Sequence, residues 1–144
     1  MSPETGKFFL DTNIFVYAFD PGSPTKRTMA NDLIAEALAK RRGVISYQVV
    51  QEFLNVATRK FVKPLFAAEA HLYLNRVLMP LCEIYPSASL YSHALSIADD
   101  TGYSFYDALV VSAALAADCG ILWSEDLQHG RRIDRVEIRN PFRR

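Results

Sequence analysis

Short apolar runs alternate with longer amphipathic stretches along this chain. The runs Phe8-Phe9-Leu10, Val44-Ile45-Ser46, Leu81 to Tyr85 and Ile121-Leu122-Trp123 each predict a buried strand. Val136-Glu137-Ile138 predicts a further strand at a sheet edge. Between the runs the apolar spacing turns helical. Thr12 to Phe19 suits a short helix, and Pro21-Gly22-Ser23-Pro24 is a loop by its turn chemistry. Thr25 to Arg42 puts Met29, Leu33, Ile34, Ala37 and Leu38 on one face, with Gly43 as the stop. Ser46 or Tyr47 opens a helix through Phe61 with Val49, Val50, Phe53, Leu54 and Ala57 as its apolar stripe, and Pro64 breaks it. Leu65 to Leu78 is helical up to a break at Pro80, and Ser87 to Thr101 is helical up to Gly102. Ser104 to Asp118 is almost wholly apolar, which predicts a central helix, ended by Gly120.

Short strands separated by helices favour a parallel sheet covered on both faces, an α/β fold of one domain over residues 1–144. Ligands of such sheets bind beyond the carboxyl ends of the strands. Asp11 stands at the end of the first predicted strand, and Glu125-Asp126 stand just beyond the fourth.

Composition supports a real core: 50% of residues are hydrophobic and 22% are charged. A domain of this size buries roughly 70% of its unfolded surface and needs no staple. Cys82 and Cys119 lie far apart, lack metal-ligand spacing and sit among apolar residues, so both are expected as buried thiols in a reducing compartment. Residues 1–7 carry no apolar signal core, and no run approaches the roughly 20 residues that span a bilayer. A cytoplasmic protein without membrane attachment is the expectation. Lys plus Arg equals Asp plus Glu at 16 each, so net charge does not advertise a nucleic-acid partner. Two basic clusters, Arg59-Lys60 with Lys63 and the arginines from Arg131 to Arg144, read either as solvated surface or as contacts to phosphate or to an acidic partner.

The acidic residues change the picture more. Each has a local structural role open to it. Asp11 suits a helix N-cap, and Ser104-Phe105-Tyr106-Asp107 resembles a capping box. Ser124-Glu125-Asp126 suits a turn, and Glu52, intruding on the apolar stripe, suits pairing with an arginine. Glu125 and Asp126 cannot both point the same way from an extended segment. Taken together, Asp11, Glu52, Asp107 and one of the pair Glu125-Asp126 converge on one end of the predicted sheet. Clustered carboxylates repel, and burial makes the repulsion costlier. A divalent cation resolves the conflict, and magnesium or manganese prefers such oxygen ligands. His71, His93 and His129 are isolated, so no zinc-type cluster is present. Carboxylate-held metal suits phosphodiester hydrolysis, because charge accumulates on the attacking and leaving oxygens.

In order and spacing, Leu10-Asp11-Thr12-Asn13, Gln51-Glu52-Phe53, Tyr106-Asp107-Ala108-Leu109 and Ser124-Glu125-Asp126-Leu127 resemble the PIN domain. The likeness is nearest to the VapC-like toxins of toxin–antitoxin pairs, and Val136 to Phe142 is similar to the tail of one VapC-like subgroup. The resemblance implies a Rossmann-like α/β/α sandwich and a ribonuclease dependent on Mg2+ or Mn2+. It makes Asp11 and Asp107 the central metal ligands. Glu52 becomes a further ligand or the group that orients water, and Asp126 a ligand directly or through water. Asn13 and Ser124 become polar support, while Glu125 is an extra acid of open role. The resemblance also implies an RNA substrate, a homodimer and a cognate antitoxin. A PIN-type nuclease of RNA processing and a non-catalytic RNA- or protein-binding module are the alternatives. An aspartyl phosphatase is disfavoured because Asp11-Thr12-Asn13 lacks the second aspartate of that chemistry.

Overall fold

The computed structural model describes residues 5–143. Its centre is a six-stranded sheet in the order β3-β2-β1-β4-β6-β5. The strands are β1 (Phe8–Leu10), β2 (Gly43–Ser46), β3 (Cys82–Ile84), β4 (Ile121–Trp123), β5 (Arg132–Ile133) and β6 (Val136–Arg139). All neighbours pair in parallel except β5 and β6. Phe8 lies opposite both Gly43 and Ile121, so β1 is flanked on each side by a strand reached through helices. The chain leaves β1 in one direction to β2 and later returns to its other side as β4. Such a reversal opens a crevice at the carboxyl ends of the two strands.

The helices are α1 (Thr12–Tyr17), α2 (Pro24–Lys40), α3 (Tyr47–Arg59), α4 (Ala67–Tyr73), α5 (Met79–Leu81), α6 (Ala88–Thr101) and α7 (Phe105–Ala116). They cover the sheet in three α/β/α layers. Helix α7 is buried from Ala108 to Leu115 and packs on β2, β4 and β6, as its apolar sequence predicts. Among the described residues no helix is long and apolar enough to cross a membrane. Both cysteines are free and buried. Burial pushes the Cys119 thiol up to about 12, which leaves it inert.

Rings of Phe15, Phe19, Phe53, Phe61 and Tyr73 meet at centroid distances of 5.1–6.1 Å. This cluster clamps α1 against α3, which brings Thr12 to Glu52.

The structure corrects four boundaries. Gly43 does not stop α2: the helix ends at Arg41, which takes the left-handed conformation at φ 52°, and Gly43 is a strand residue. A Cβ on Gly43 would sit 2.1 Å from the Ala37 Cβ, so glycine is required by the close approach of α2 to β2. Gly43→Ala is expected to destabilise the fold by about 1–3 kcal/mol through overpacking. An unchanged urea midpoint would contradict that steric account.

Pro80 does not break its helix. A π-helical turn, Leu74–Leu78, precedes it, and the Met79 N–H reaches back to the Leu74 carbonyl. The shifted bonding lets the chain carry a proline for one more turn before β3. Gly120 likewise does not end α7, which stops at Ala116 with Asp118 just beyond its cap in the left-handed conformation at φ 59°. Finally, β6 is not an edge strand. Asp134, at φ 53°, turns a tight hairpin that places β5 outside it. Two residues of β5 carry too little pattern to be read from sequence.

The candidate active site

Asp11 ends β1 and starts α1. Its side chain accepts the Thr12 N–H at 2.7 Å, so it does cap that helix. Its other oxygen accepts the Ser124 hydroxyl at 2.7 Å, across from the end of β4. Asp11 is only 8% exposed, and burial pushes the pKa of its carboxyl up to about 6. The two hydrogen bonds oppose that shift, while the nearby charges of Glu52 and Asp126 add to it. The cap and the cleft role share one side chain.

Glu52 reaches the same place from α3. Among the described residues no arginine pairs with it. It accepts the Thr12 hydroxyl at 2.7 Å and, more weakly, the Gln48 amide at 3.4 Å from the preceding turn. Asp107 lies in the first turn of α7, whose N-cap Ser104 accepts the Asp107 N–H at 3.3 Å. The backbone is capped, and the exposed Asp107 carboxylate faces the cleft. Asp126 is held by the Asn13 amide at 3.1 Å, and the same Asn13 accepts the Glu125 N–H at 3.3 Å. Asp11, Glu52, Asp107 and Asp126 therefore line one open cleft at the carboxyl end of the sheet.

Glu125 also borders the cleft, but its carboxylate is engaged by other partners. One of its oxygens accepts the Tyr17 hydroxyl at 2.6 Å and the other meets Lys26 at 2.6 Å. Lys26 holds the Glu125 carboxyl below its ordinary range despite partial burial, and the Tyr17 phenol is raised by the same carboxylate.

The cleft's donors are hard carboxylate oxygens, and the mutual repulsion acting on buried Asp11 is what a bound cation relieves. Its chemistry fits a divalent ion such as magnesium or manganese. The cage is not closed: among the described residues no three acids are already grouped within ligating reach of one point. Thr12 and Gln48 hold the two Glu52 oxygens, and Asn13 holds one oxygen of Asp126.

A family model for the PIN domain matches residues 8–136. The chain belongs to the PIN domain family. Among solved structures, this PIN domain is similar to VapBC2 from Rickettsia felis bound to a promoter DNA fragment, with 24% identity and a TM-score of 0.64 over 92% of this chain and 97% of that one. It is similar to FitAcB from Neisseria gonorrhoeae at 16% identity and a TM-score of 0.63, over 94% and 98% of the two chains. It also resembles Mycobacterium tuberculosis VapC20, a sarcin–ricin loop cleaving toxin, at 20% identity and a TM-score of 0.59 over 83% and 92%. No curated protein matches the sequence.

Sequence reasoning missed Thr12, Gln48, Tyr17 and Lys26 as parts of this site. Gln48 lay one helical turn before Glu52 and could have been found by that spacing. Lys26 and Tyr17 carried no such signal, because they meet Glu125 only through the packing of α1 and α2. The basic clusters divide. Lys60 lines the cleft. The arginines near the C-terminus are largely taken up locally: Arg132 and Arg139 lie on Glu137, and Arg135 lies on Asp118.

Proposed function

We propose that this PIN domain is a metal-dependent endoribonuclease, the toxin of a type II toxin–antitoxin pair. The observation that carries the reading is the meeting of Asp11, Glu52, Asp107 and Asp126 in one cleft, with Asp11 buried and electrostatically strained. Bound magnesium or manganese would supply charge neutralisation at the phosphodiester and a water of lowered pKa.

Asp11 and Asp107 would hold the ion, the first fixed in direction by Ser124 and the Thr12 N–H. Glu52, kept beside them by Thr12 and Gln48, would orient the attacking water and take its proton. Asp126 would complete the ligand set, directly or through water, with Asn13 supporting it. Lys60 at the cleft offers a cation to an adjacent phosphate.

Two surfaces support the proposed partners. A groove lined by Phe19, Phe61, Val62 and Leu65, with Lys60 and Lys63 balanced by Asp20 and Glu69, adjoins the cleft and suits an antitoxin segment with apolar anchors. The exposed Tyr47, Tyr85, Tyr91, Phe105 and Tyr106 form an aromatic face suited to a second copy of the chain.

The test compares wild type with Asp107→Asn. Brief expression followed by sequencing of RNA ends should show new ends for wild type only, with growth arrest relieved by a neighbouring gene's product. Full cleavage by purified, folded Asp107→Asn would defeat the assignment. Harmless expression of an active nuclease would favour RNA processing instead.

A further inference from the structure

The geometry points to Glu125 as a positioning residue that, tied to Lys26 and Tyr17, aims the neighbouring Asp126 carboxylate into the cleft. The inference rests on reading the cleft as a divalent-ion site. The segment after β4 has no regular structure until β5, so no ladder of backbone bonds fixes its side chains. Side-chain ties must do so. Residues 125–127 form a bend whose Glu125 and Asp126 both border the cleft, so anchoring Glu125 fixes the piece of chain from which the Asp126 carboxylate projects.

The anchor is well built. Both Glu125 oxygens are engaged at 2.6 Å, and its side chain is 24% exposed. Lys26 also donates to the Tyr17 hydroxyl at 3.3 Å. It lies 4.5 Å from the centroid of the Tyr17 ring and 5.5 Å from that of Phe142. The Phe142 ring packs edge-on against Tyr17 at 4.9 Å. One unit thus joins the end of α1, the first turn of α2, the loop after β4 and the C-terminal segment. Asn13 links the unit to the ligand: its carbonyl accepts the Glu125 N–H and its amide donates to Asp126.

Glu125 is poorly placed to serve as a ligand itself. Turning it to an ion would strip Lys26 of its carboxylate and leave the ammonium against two aromatic rings. As a partly exposed ion pair the tie adds little to global stability. Its effect belongs in metal affinity, where groups that orient a ligand without touching the ion act.

The test uses the full chain as wild type, Glu125→Gln, Lys26→Met, Lys26→Arg, Asp126→Asn and the Glu125→Gln/Lys26→Met double variant. Mn2+ binding is read by calorimetry, and the Mn2+ concentration for half-maximal RNA cleavage is read beside it. Glu125→Gln and Lys26→Met are each expected to weaken Mn2+ binding about tenfold. The double variant should be no worse than either single one, Lys26→Arg should restore affinity, and saturating Mn2+ should restore cleavage. Wild-type affinity in all four tie variants would overturn the inference alone. Loss of binding in Glu125→Gln as deep as in Asp126→Asn, with Lys26→Met unaffected, would also overturn it by making Glu125 a ligand. A wild type that binds no Mn2+ would overturn this inference together with the metal-site reading.

Discussion

Asp11→Asn is expected to abolish RNA cleavage and, in metal-free buffer at neutral pH, to make the protein more stable. The activity loss should be about a thousandfold or more, equivalent to roughly 4 kcal/mol of transition-state stabilisation. The gain in stability follows from burial. Moving a carboxyl from its ordinary 3.8 to about 6 costs the folded state about 3 kcal/mol once the group is ionised. The sign is set by the direction of the shift. A raised folded pKa favours the fold while Asp11 is protonated. That advantage is complete below 3.8 and is lost as pH rises to about 6.

Asparagine is neutral at every pH and escapes the penalty. It can still accept the Thr12 N–H, and it weakens the contact to Ser124 at a cost of about 1 kcal/mol. The net gain of about 2 kcal/mol should raise the melting midpoint by roughly 5 °C at pH 7.5. At pH 4 the gain should vanish. Added Mn2+ should reverse the order at pH 7.5, because an ion that binds only the folded wild type stabilises it by mass action. Thermal melts at both pH values, with and without Mn2+, check the four outcomes. A variant destabilised at pH 7.5 without metal would refute the electrostatic account of Asp11.

The second large effect is on pH dependence. An ion must displace the Asp11 proton below about pH 6, so apparent metal affinity should fall about tenfold for each pH unit below that point. Cleavage at subsaturating Mn2+ should fall with it, and higher Mn2+ should move the falling limb to lower pH. Because Glu52 and Asp126 both press on Asp11, removing either charge should lower the pH at which apparent metal affinity, read by titration, begins to fall. A limb that stays fixed as Mn2+ is raised would assign the titration to another group.

Much of this arrangement was legible in the sequence, for reasons that differ by residue. Strands β1 and β4 were visible because each is a wholly apolar run ending at an acid or a serine. Helix α7 was visible because almost every side is buried. The convergence of Asp11 with Ser124 and Asp126 followed from β1 and β4 being neighbours in a parallel sheet, which a strand–helix alternation anticipates. The hairpin of β5 was not legible, since its turn depends on one left-handed Asp134. The helix through Pro80 was not legible either, because a proline there normally signals an end and the π-turn that accommodates it leaves no mark in composition. The partners of Glu125 were hidden because Lys26 and Tyr17 are nearly a hundred residues or more away in sequence and meet it only after packing.

The most direct measurement is a calorimetric titration of Mn2+ into metal-free wild type and Asp107→Asn at pH 7.5, with folding checked on the same samples. Saturable binding by wild type, lost in the folded variant, is the predicted result. Equal binding by both, or none by wild type, would contradict a carboxylate-held ion at the heart of the cleft.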